Sequence, residues 1–192
     1  MNKGRIKLRK IIVLSYLSLD GFTGSNGDSN WIVWDDGVNE YYKKTQRTTD
    51  TVLFGHASFD ALKNYWSTPK ASAEDPEMIA YINQTKKIVF SKTLKTADWN
   101  NSTVLREIIP SEIVKLKKES GKDILMIGSG SVVSQMANAG LIDEYRFIII
   151  PVVLGDGKPY FQKLEGKLNL KLLETKRFEC GNTLLRYQSR KK

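Results

Sequence analysis

The sequence of 192 residues predicts one α/β domain, a three-layer α/β/α sandwich whose mostly parallel central sheet ends in a C-terminal antiparallel hairpin. Three observations carry this reading. From Ile11 to Val153, short apolar runs alternate with segments of helical character, as in a parallel sheet crossed over by helices. Beyond that point Leu168, Leu170 and Leu172 alternate with Lys167, Asn169 and Lys171, the period-two pattern of a half-buried strand. No repeat or linker divides the chain, and its length suits a single core.

The elements follow in order. Ile11 to Leu17 is β-branched and apolar, as a strand covered on both faces should be. Asp20-Gly21 ends it, and the turn chemistry of Gly24-Ser25-Asn26-Gly27-Asp28 makes residues 20–30 a loop. Asp35-Asp36 places acids at a helix start, with Val38, Tyr41, Tyr42 and Thr45 at helical spacing. Thr51 to Gly55 is a short strand, and the polar residues 67–75, with Pro69, read as an exposed loop. Asp75-Pro76-Glu77 is a helix start with an acid at the cap and proline at the first position, and that helix runs to about Thr85. Lys87 to Phe90 and Val104 to Ile108 read as strands, and Ser111 caps a helix that stops before Gly121. Ile124 to Ile127 is another buried strand, followed by a helix from Ser131 to Ala139 that stops at Gly140. Tyr145 to Val153 is a long apolar strand, and Cys180-Gly181-Asn182 is a hairpin turn into Thr183 to Tyr187.

Composition narrows the function classes. Cys180 is the only cysteine and His56 the only histidine, so neither an intrachain disulfide nor a two-histidine metal site is available. No metal is expected, and a reducing, cytoplasmic setting fits best. The net charge of +9 lies at the ends: residues 1–10 carry Lys3, Arg5, Lys7, Arg9 and Lys10, residues 186–192 carry Arg186, Arg190, Lys191 and Lys192, and neither stretch holds an acid. The domain is therefore drawn at 11–187, flanked by basic tails at 1–10 and 188–192. A formally neutral body argues against nucleic acid as the main partner, since a reader of DNA or RNA carries its basic stripe on a folded face. No apolar run reaches the ~20 residues of a membrane span. A hydrolase triad lacks its Gly-x-Ser-x-Gly elbow.

Two places could carry chemistry. Ile124 to Ile127 feeds Gly128-Ser129-Gly130-Ser131 and then a helix, and such a turn offers free N–H groups and a positive dipole end to pyrophosphate. Val133 occupies the third glycine position of a dinucleotide fingerprint, so the turn alone reads sooner as a tight structural turn than as a phosphate site. The second place is the loop and helix after the first strand. There Asp20, Asp28, Asp35 and Asp36 lie among Trp31, Trp34, Tyr41 and Tyr42. A carboxylate beside apolar rings has a raised pKa and can hand a proton to a heterocycle, whereas the plainer reading has Asp35 and Asp36 capping a helix.

In order along residues 11–187, these pieces resemble the dihydrofolate reductase-like superfamily, in its branch with the reductase domain of riboflavin biosynthesis. Ser18-Leu19-Asp20-Gly21 is similar to the branch's signature after the first strand. Leu53-Phe54-Gly55-His56-Ala57-Ser58-Phe59 is similar to the Gly-Arg-x-Thr-Tyr segment that begins the cofactor phosphate site. Val89-Phe90-Ser91-Lys92-Thr93-Leu94 resembles the strand whose Ser-Lys pair meets the adenosine ribose phosphate, and Gly128 to Ser131 falls where the family cradles pyrophosphate. Gly140 to Glu144, followed by Pro151 to Gly157, matches the branch's most specific signature.

The resemblance implies hydride transfer from NADPH to a pteridine- or pyrimidine-like small molecule, in a homodimer. Gly55, His56, Ser58, Ser91, Lys92, Gly128, Ser129, Gly130 and Ser131 would hold the cofactor. Asp20 or Asp36 would act in catalysis, and Trp31 and Asp35 would meet the substrate, with Asp143 and Glu144 shaping entry to the next strand. Two positions depart from the family. His56 replaces the usual Arg, and Ile127 stands where riboflavin reductases carry Glu. A catalytically silent nucleotide-binding regulatory domain is the alternative reading, and a basic nucleic-acid-binding protein the more distant one.

Overall fold

In the computed structural model, which describes residues 8–24 and 30–190, eight strands form one sheet in the order β4-β3-β2-β5-β1-β6-β8-β7. The strands are β1 (Ile11–Ser18), β2 (Thr49–Gly55), β3 (Lys86–Phe90), β4 (Ser102–Leu105), β5 (Asp123–Ile127), β6 (Glu144–Ile150), β7 (Leu170–Arg177) and β8 (Thr183–Ser189). The helices are α1 (Asp36–Arg47), α2 (His56–Trp66), α3 (Pro69–Glu74), α4 (Pro76–Gln84), α5 (Pro110–Lys118) and α6 (Gly130–Asn138). From β4 to β6 all pairings are parallel, and β8 and β7 close the sheet as an antiparallel hairpin.

Burial explains why β1 sits near the centre. Val13 and Leu17 pack on one face with Ile113 and Leu116 of α5 and Val132, Val133 and Met136 of α6. Leu14 packs on the other with Val38 of α1, Phe59 of α2 and Ile82 of α4. Helices thus cover both faces, the three-layer sandwich expected for a mainly parallel sheet. Adjacent β1 and β5 send their chains in opposite directions, β1 by way of α1 to β2 and β5 by way of α6 to β6. At such a switch point a crevice opens beyond the carboxyl ends of the strands.

Asp143 and Glu144 shape the entry to β6 as expected. Asp143 accepts the Ile11 amide at 2.9 Å and pairs with Lys117 at 2.6 Å. Glu144, almost fully buried, bonds Arg146 at 2.7 Å and Arg186 at 2.6 Å. Burial works to raise its pKa, but the two guanidinium groups hold it below the usual range.

Several expectations are corrected. Residues 67–75 hold α3 rather than an open loop, because the Thr68 hydroxyl accepts the Ala71 amide at 3.2 Å and Pro69 fits the first turn. Ser111 is not a cap, since α5 starts one residue earlier, at Pro110. The strand expected at 104–108 is β4, shifted back to Ser102–Leu105, and β6 stops at Ile150, before Pro151. On β7, Leu172 is exposed rather than half-buried, because β7 is the sheet edge and its register shifts just after that residue. Arg9, assigned to the basic tail, is buried and paired with Asp50, and Arg186 pairs with Glu144 and Glu174. The remaining tail residues 1–7 and 191–192, and Asp28 with its turn at 25–29, lie outside the described residues.

Candidate active site

Gly55, Phe90, Ile127 and Ser18 end β2, β3, β5 and β1, so the turns that follow them crowd together at the carboxyl edge of the sheet. Nearly every residue expected at a cofactor site stands on these turns. Their glycines are fixed first by contact within the chain. A Cβ on Gly55 would overlap the Ser129 side chain, and one on Gly128 would meet the Ser58 Oγ at 2.6 Å. The start of α2 and the turn before α6 are thereby interlocked. Gly130 packs under the backbone carbonyl of Tyr160, where no side chain fits. Gly128 and Ser129 both adopt left-handed φ, at 65° and 51°, which turns the chain sharply out of β5.

The helix starts differ in a way that bears on ligands. Side chains of Asp35, Thr68 and Asp75 cap α1, α3 and α4, and α5 carries Glu112 in its first turn. Neither α2 nor α6 has a side-chain cap or a first-turn acid. Two helix N-termini therefore present amide groups and positive dipole ends side by side, with no side-chain cap and no first-turn acid on either helix.

Beside them, His56 Nδ1 lies 3.3 Å from the Ser91 Oγ and 3.2 Å from the Thr93 Oγ1, while its Nε2 lies 3.1 Å from Asp60. Ser91 is itself fixed, its Oγ accepting the amides of Thr93 and Leu94 at 3.2 and 2.9 Å. Lys92 is exposed, and among the described residues no carboxylate pairs with it. Its carbonyl accepts a bond from Arg106 Nη1 at 2.9 Å, which brings a second cation to this corner. Sequence reasoning missed Asp60, Thr93 and Arg106. The i, i+4 spacing of His56 and Asp60 was the available signal for the first.

The acids gather elsewhere, around the end of β1. Asp20 accepts the Ser18 hydroxyl at 2.6 Å and the amides of Gly155 and Leu154 at 2.8 and 3.2 Å. The Ser18 hydroxyl and then the loop amides hold its carboxyl below the usual range. Asp35 accepts the Cys180 amide at 2.9 Å and the Val38 amide at 2.7 Å, and these bonds lower its pKa as well. The expected raised pKa is therefore corrected for both residues: hydrogen bonds to the charged form outweigh any effect of nearby rings. Asp36 is exposed on the first turn of α1, and Trp31 packs at the margin of the α1-side core. The Asp20 loop and the loop after Pro151 are zipped together, with Leu19 N bonded to Val152 O, Thr23 N to Lys158 O and Tyr160 N to Gly21 O. Tyr160 then joins the two halves of the site. Its carbonyl covers Gly130, and its hydroxyl meets the Ser15 Oγ at 2.6 Å.

Among the described residues no cluster of acids, His and Cys could hold a metal, and no helix is long and apolar enough to cross a membrane. A polar hollow at the opposite end of the sheet, lined by Gln46, Arg47, Thr49, Asp50, Tyr81 and Lys122, has its charges already engaged within the protein.

Comparison with known proteins agrees with the fold. The family model of the RibD C-terminal domain matches residues 9–184. The chain is 36% identical to YyaP of Bacillus subtilis (strain 168) over 177 residues, covering 92% of this chain and 93% of that protein. Its fold is similar to that of a Shewanella sp. PV-4 protein assigned to riboflavin biosynthesis, with a TM-score of 0.76 at 19% identity over 95% of this chain and 99% of that one. It is also similar to that of Enterococcus faecalis dihydrofolate reductase complexed with NADP(H), with a TM-score of 0.62 at 14% identity over 95% and 97% of the two chains.

Proposed function

Since the chain belongs to the RibD C-terminal domain family, with the reductase-type fold of that group, we propose that it is an NADPH-dependent reductase that transfers a hydride to a pteridine- or pyrimidine-like small molecule. The observation that carries this reading is the pair of interlocked helix starts, α2 and α6, both without cap or acid, at the centre of the carboxyl edge of the sheet. They suit the two phosphates of a pyrophosphate, which amides and dipole ends can hold without a lysine at each oxygen.

The remaining cofactor contacts follow from position. Lys92, Arg106 and the Ser91–Thr93 turn stand at the end of β3, on the outer side of the pyrophosphate seat, where an adenosine ribose phosphate would fall. On the inner side, β5 and β1 bring the other end of the dinucleotide toward the switch point. NADPH supplies the hydride when bound. The chain's own groups orient it, wall off water and hold the substrate ring. Trp34, exposed beside α1, and Leu19 and Val153 on the zipped loops give that crevice apolar walls.

Asp20 serves in this scheme as the tie between two loops, and Asp36 is the acid left able to exchange a proton with the ring. A homodimer belongs to the same proposal, supported by the edge strand β7 with Leu172 and Leu173 exposed. The nucleic-acid alternative loses support because Arg9 and Arg186 are engaged in ion pairs within the fold. The test is oxidation of NADPH, followed by absorbance, with a panel of dihydropterins and aminouracils. Binding of NADPH without turnover on any ring would favour the silent regulatory domain, and failure to bind NADPH would remove both readings.

A further inference from the structure

Tyr16 stands two residues before the end of β1, on the face that packs against α1. Its neighbours on that face are apolar: Leu14 before it on β1, and Ile148 and Leu184 in register across β6 and β8. Its ring lies against that of Trp34, with centroids 4.7 Å apart and planes tilted by 52°. The hydroxyl is buried, yet it has no hydrogen-bond partner among the described residues. An orphaned phenol is costly, because it has given up water for nothing. The cost is unexplained by packing, since phenylalanine would fill the same space. Burial, reinforced by Tyr42 and Tyr41, raises its pKa well above the ordinary value, so the group remains a donor across the working range.

Three further facts favour a ligand as the missing partner of this hydroxyl. Trp34, which lies against it, is itself 48% exposed, so only one ring separates this part of β1 from the surface. The neighbouring segment is pinned by Asn182, whose Nδ2 donates to the Val33 carbonyl at 2.7 Å. The Oδ1 of that same fully buried Asn182 is also without a partner. Finally, two of the acids near the end of β1 are poor donors of a hydrogen bond to a ring: Asp20 is held as a carboxylate by the Ser18 hydroxyl and the loop amides, and Asp35 by the Cys180 and Val38 amides.

We propose that the Tyr16 hydroxyl is the ring-recognition donor of the site, giving a hydrogen bond to the carbonyl oxygen of an oxo-substituted, lactam-type heterocycle. This rests on the reading of the β1–α1 crevice as the substrate site, and it narrows the substrate class within that reading. A carbonyl acceptor satisfies the phenol and fits between Trp34 and the sheet. A ring bearing an amino group in its place presents N–H to an O–H, and the phenol must then turn to accept.

The experiment uses Tyr16→Phe in the full chain, with pterin and 2,4-diaminopteridine as probes and tryptophan quenching as the readout. Wild type should bind pterin more tightly than the diamino ring, and Tyr16→Phe should lose about 10-fold in pterin affinity, the worth of one net hydrogen bond, with NADPH affinity unchanged. Without ligand, Tyr16→Phe should melt about 2–4 °C higher, because the orphaned group is gone. Equal pterin affinity in the two proteins overturns the inference while leaving the reductase reading in place. A lower melting temperature for Tyr16→Phe overturns it too, by showing that the hydroxyl already has a partner in the free protein. If wild type binds NADPH but neither ring, the crevice reading fails and this inference falls with it.

Discussion

Gly55 and Ser129 touch across the carboxyl edge of the sheet so closely that a methyl group on the glycine would overlap the serine side chain. The contact couples two helix starts, and a small change at either should be felt at both. Gly55→Ala needs no unusual backbone, since φ at this residue is −86°, so its cost is steric alone. It should destabilise the protein by about 1–3 kcal/mol, the usual range for overpacking, and weaken NADPH binding by displacing Ser129. Chemical denaturation and a fluorescence titration check the pair of effects. An unchanged midpoint would show that the turn can yield.

The pyrophosphate seat is best probed at Ser131 rather than at Gly130. Any side chain at Gly130 would strike the Tyr160 carbonyl, so its replacement tests folding more than binding. Ser131 is exposed in the first turn of α6, where an acid complements the helix dipole. Ser131→Asp should therefore keep or slightly raise stability while cutting NADPH affinity by at least ~10-fold through charge repulsion. A folded Ser131→Asp with wild-type affinity would remove the cofactor from this turn.

Selectivity between the two nicotinamide cofactors should be divided between Lys92 and His56. Lys92 has no carboxylate partner among the described residues, so its charge is available to a ribose phosphate, and Lys92→Ala should weaken NADPH more than NADH. His56→Arg adds a fixed charge and a planar fork at the same corner and should sharpen NADPH preference. Asp60, 3.1 Å from the imidazole, competes for that charge and will limit the gain. Parallel titrations with both cofactors decide the matter. Equal losses for NADPH and NADH on Lys92→Ala would contradict the assignment.

Lys87 gives a pH prediction outside the site. It is fully buried on β3, donates to the carbonyls of Ile82 and Thr85 at the end of α4, and lies over the Trp99 ring. Burial lowers its pKa to about 8 from the ordinary 10.5. Below pH 8 both folded and unfolded chains carry the proton, and the folded state bears the cost of burying a charge. As pH rises from 8 toward 10.5, the folded chain loses that proton first, so Lys87 becomes less costly and stability rises. Wild type should gain on Lys87→Met between pH 7.5 and 9.5 in denaturant melts. A constant difference would mean that the ammonium stays charged.

The sequence made the strands and the order of the site motifs legible because both are local: runs of β-branched residues, and glycines next to helix starts. Asp35 could be read as a cap from its neighbours alone, but its second bond, to the Cys180 amide, joins residues at opposite ends of the chain. Asp20 is lowered first by the hydroxyl of nearby Ser18 and then by amides at 154 and 155, far off in the chain. Apolar rings nearby in sequence suggested raised pKa values, and hydrogen bonds visible only in the fold reversed the sign. Arg9 looked like tail because its partner Asp50 lies a strand away. Tyr16 was hidden for a different reason: in an apolar strand a tyrosine reads as core, and only the fold shows that its hydroxyl has been left unpaired.

The last prediction separates the two acids proposed for catalysis. Asp20 accepts three hydrogen bonds as a carboxylate, and protonating it would break the ties from Leu154 and Gly155 that hold the loop after Pro151 against β1. A group stabilised in its charged form is a poor general acid, because its pKa moves away from working pH. Asp20→Asn should therefore act through the loop, raising KM for the ring and loosening the fold, while the shape of the kcat pH profile stays as in wild type. Asp36 bears no such bonds among the described residues. Val38 N is bound by Asp35, which leaves the Asp36 carboxyl free of the capping role at the start of α1. If it passes a proton to the ring, Asp36→Asn should lower kcat by roughly 10²–10⁴-fold, the usual scale of general-acid catalysis, with little change in NADPH affinity and the loss of one limb of the profile. The opposite pattern, a lost limb with Asp20→Asn and an intact one with Asp36→Asn, would mean that the carboxylate tied to Gly155 is released when substrate binds. Wild-type rates in both variants would exclude both acids and leave solvent water as the source of the proton.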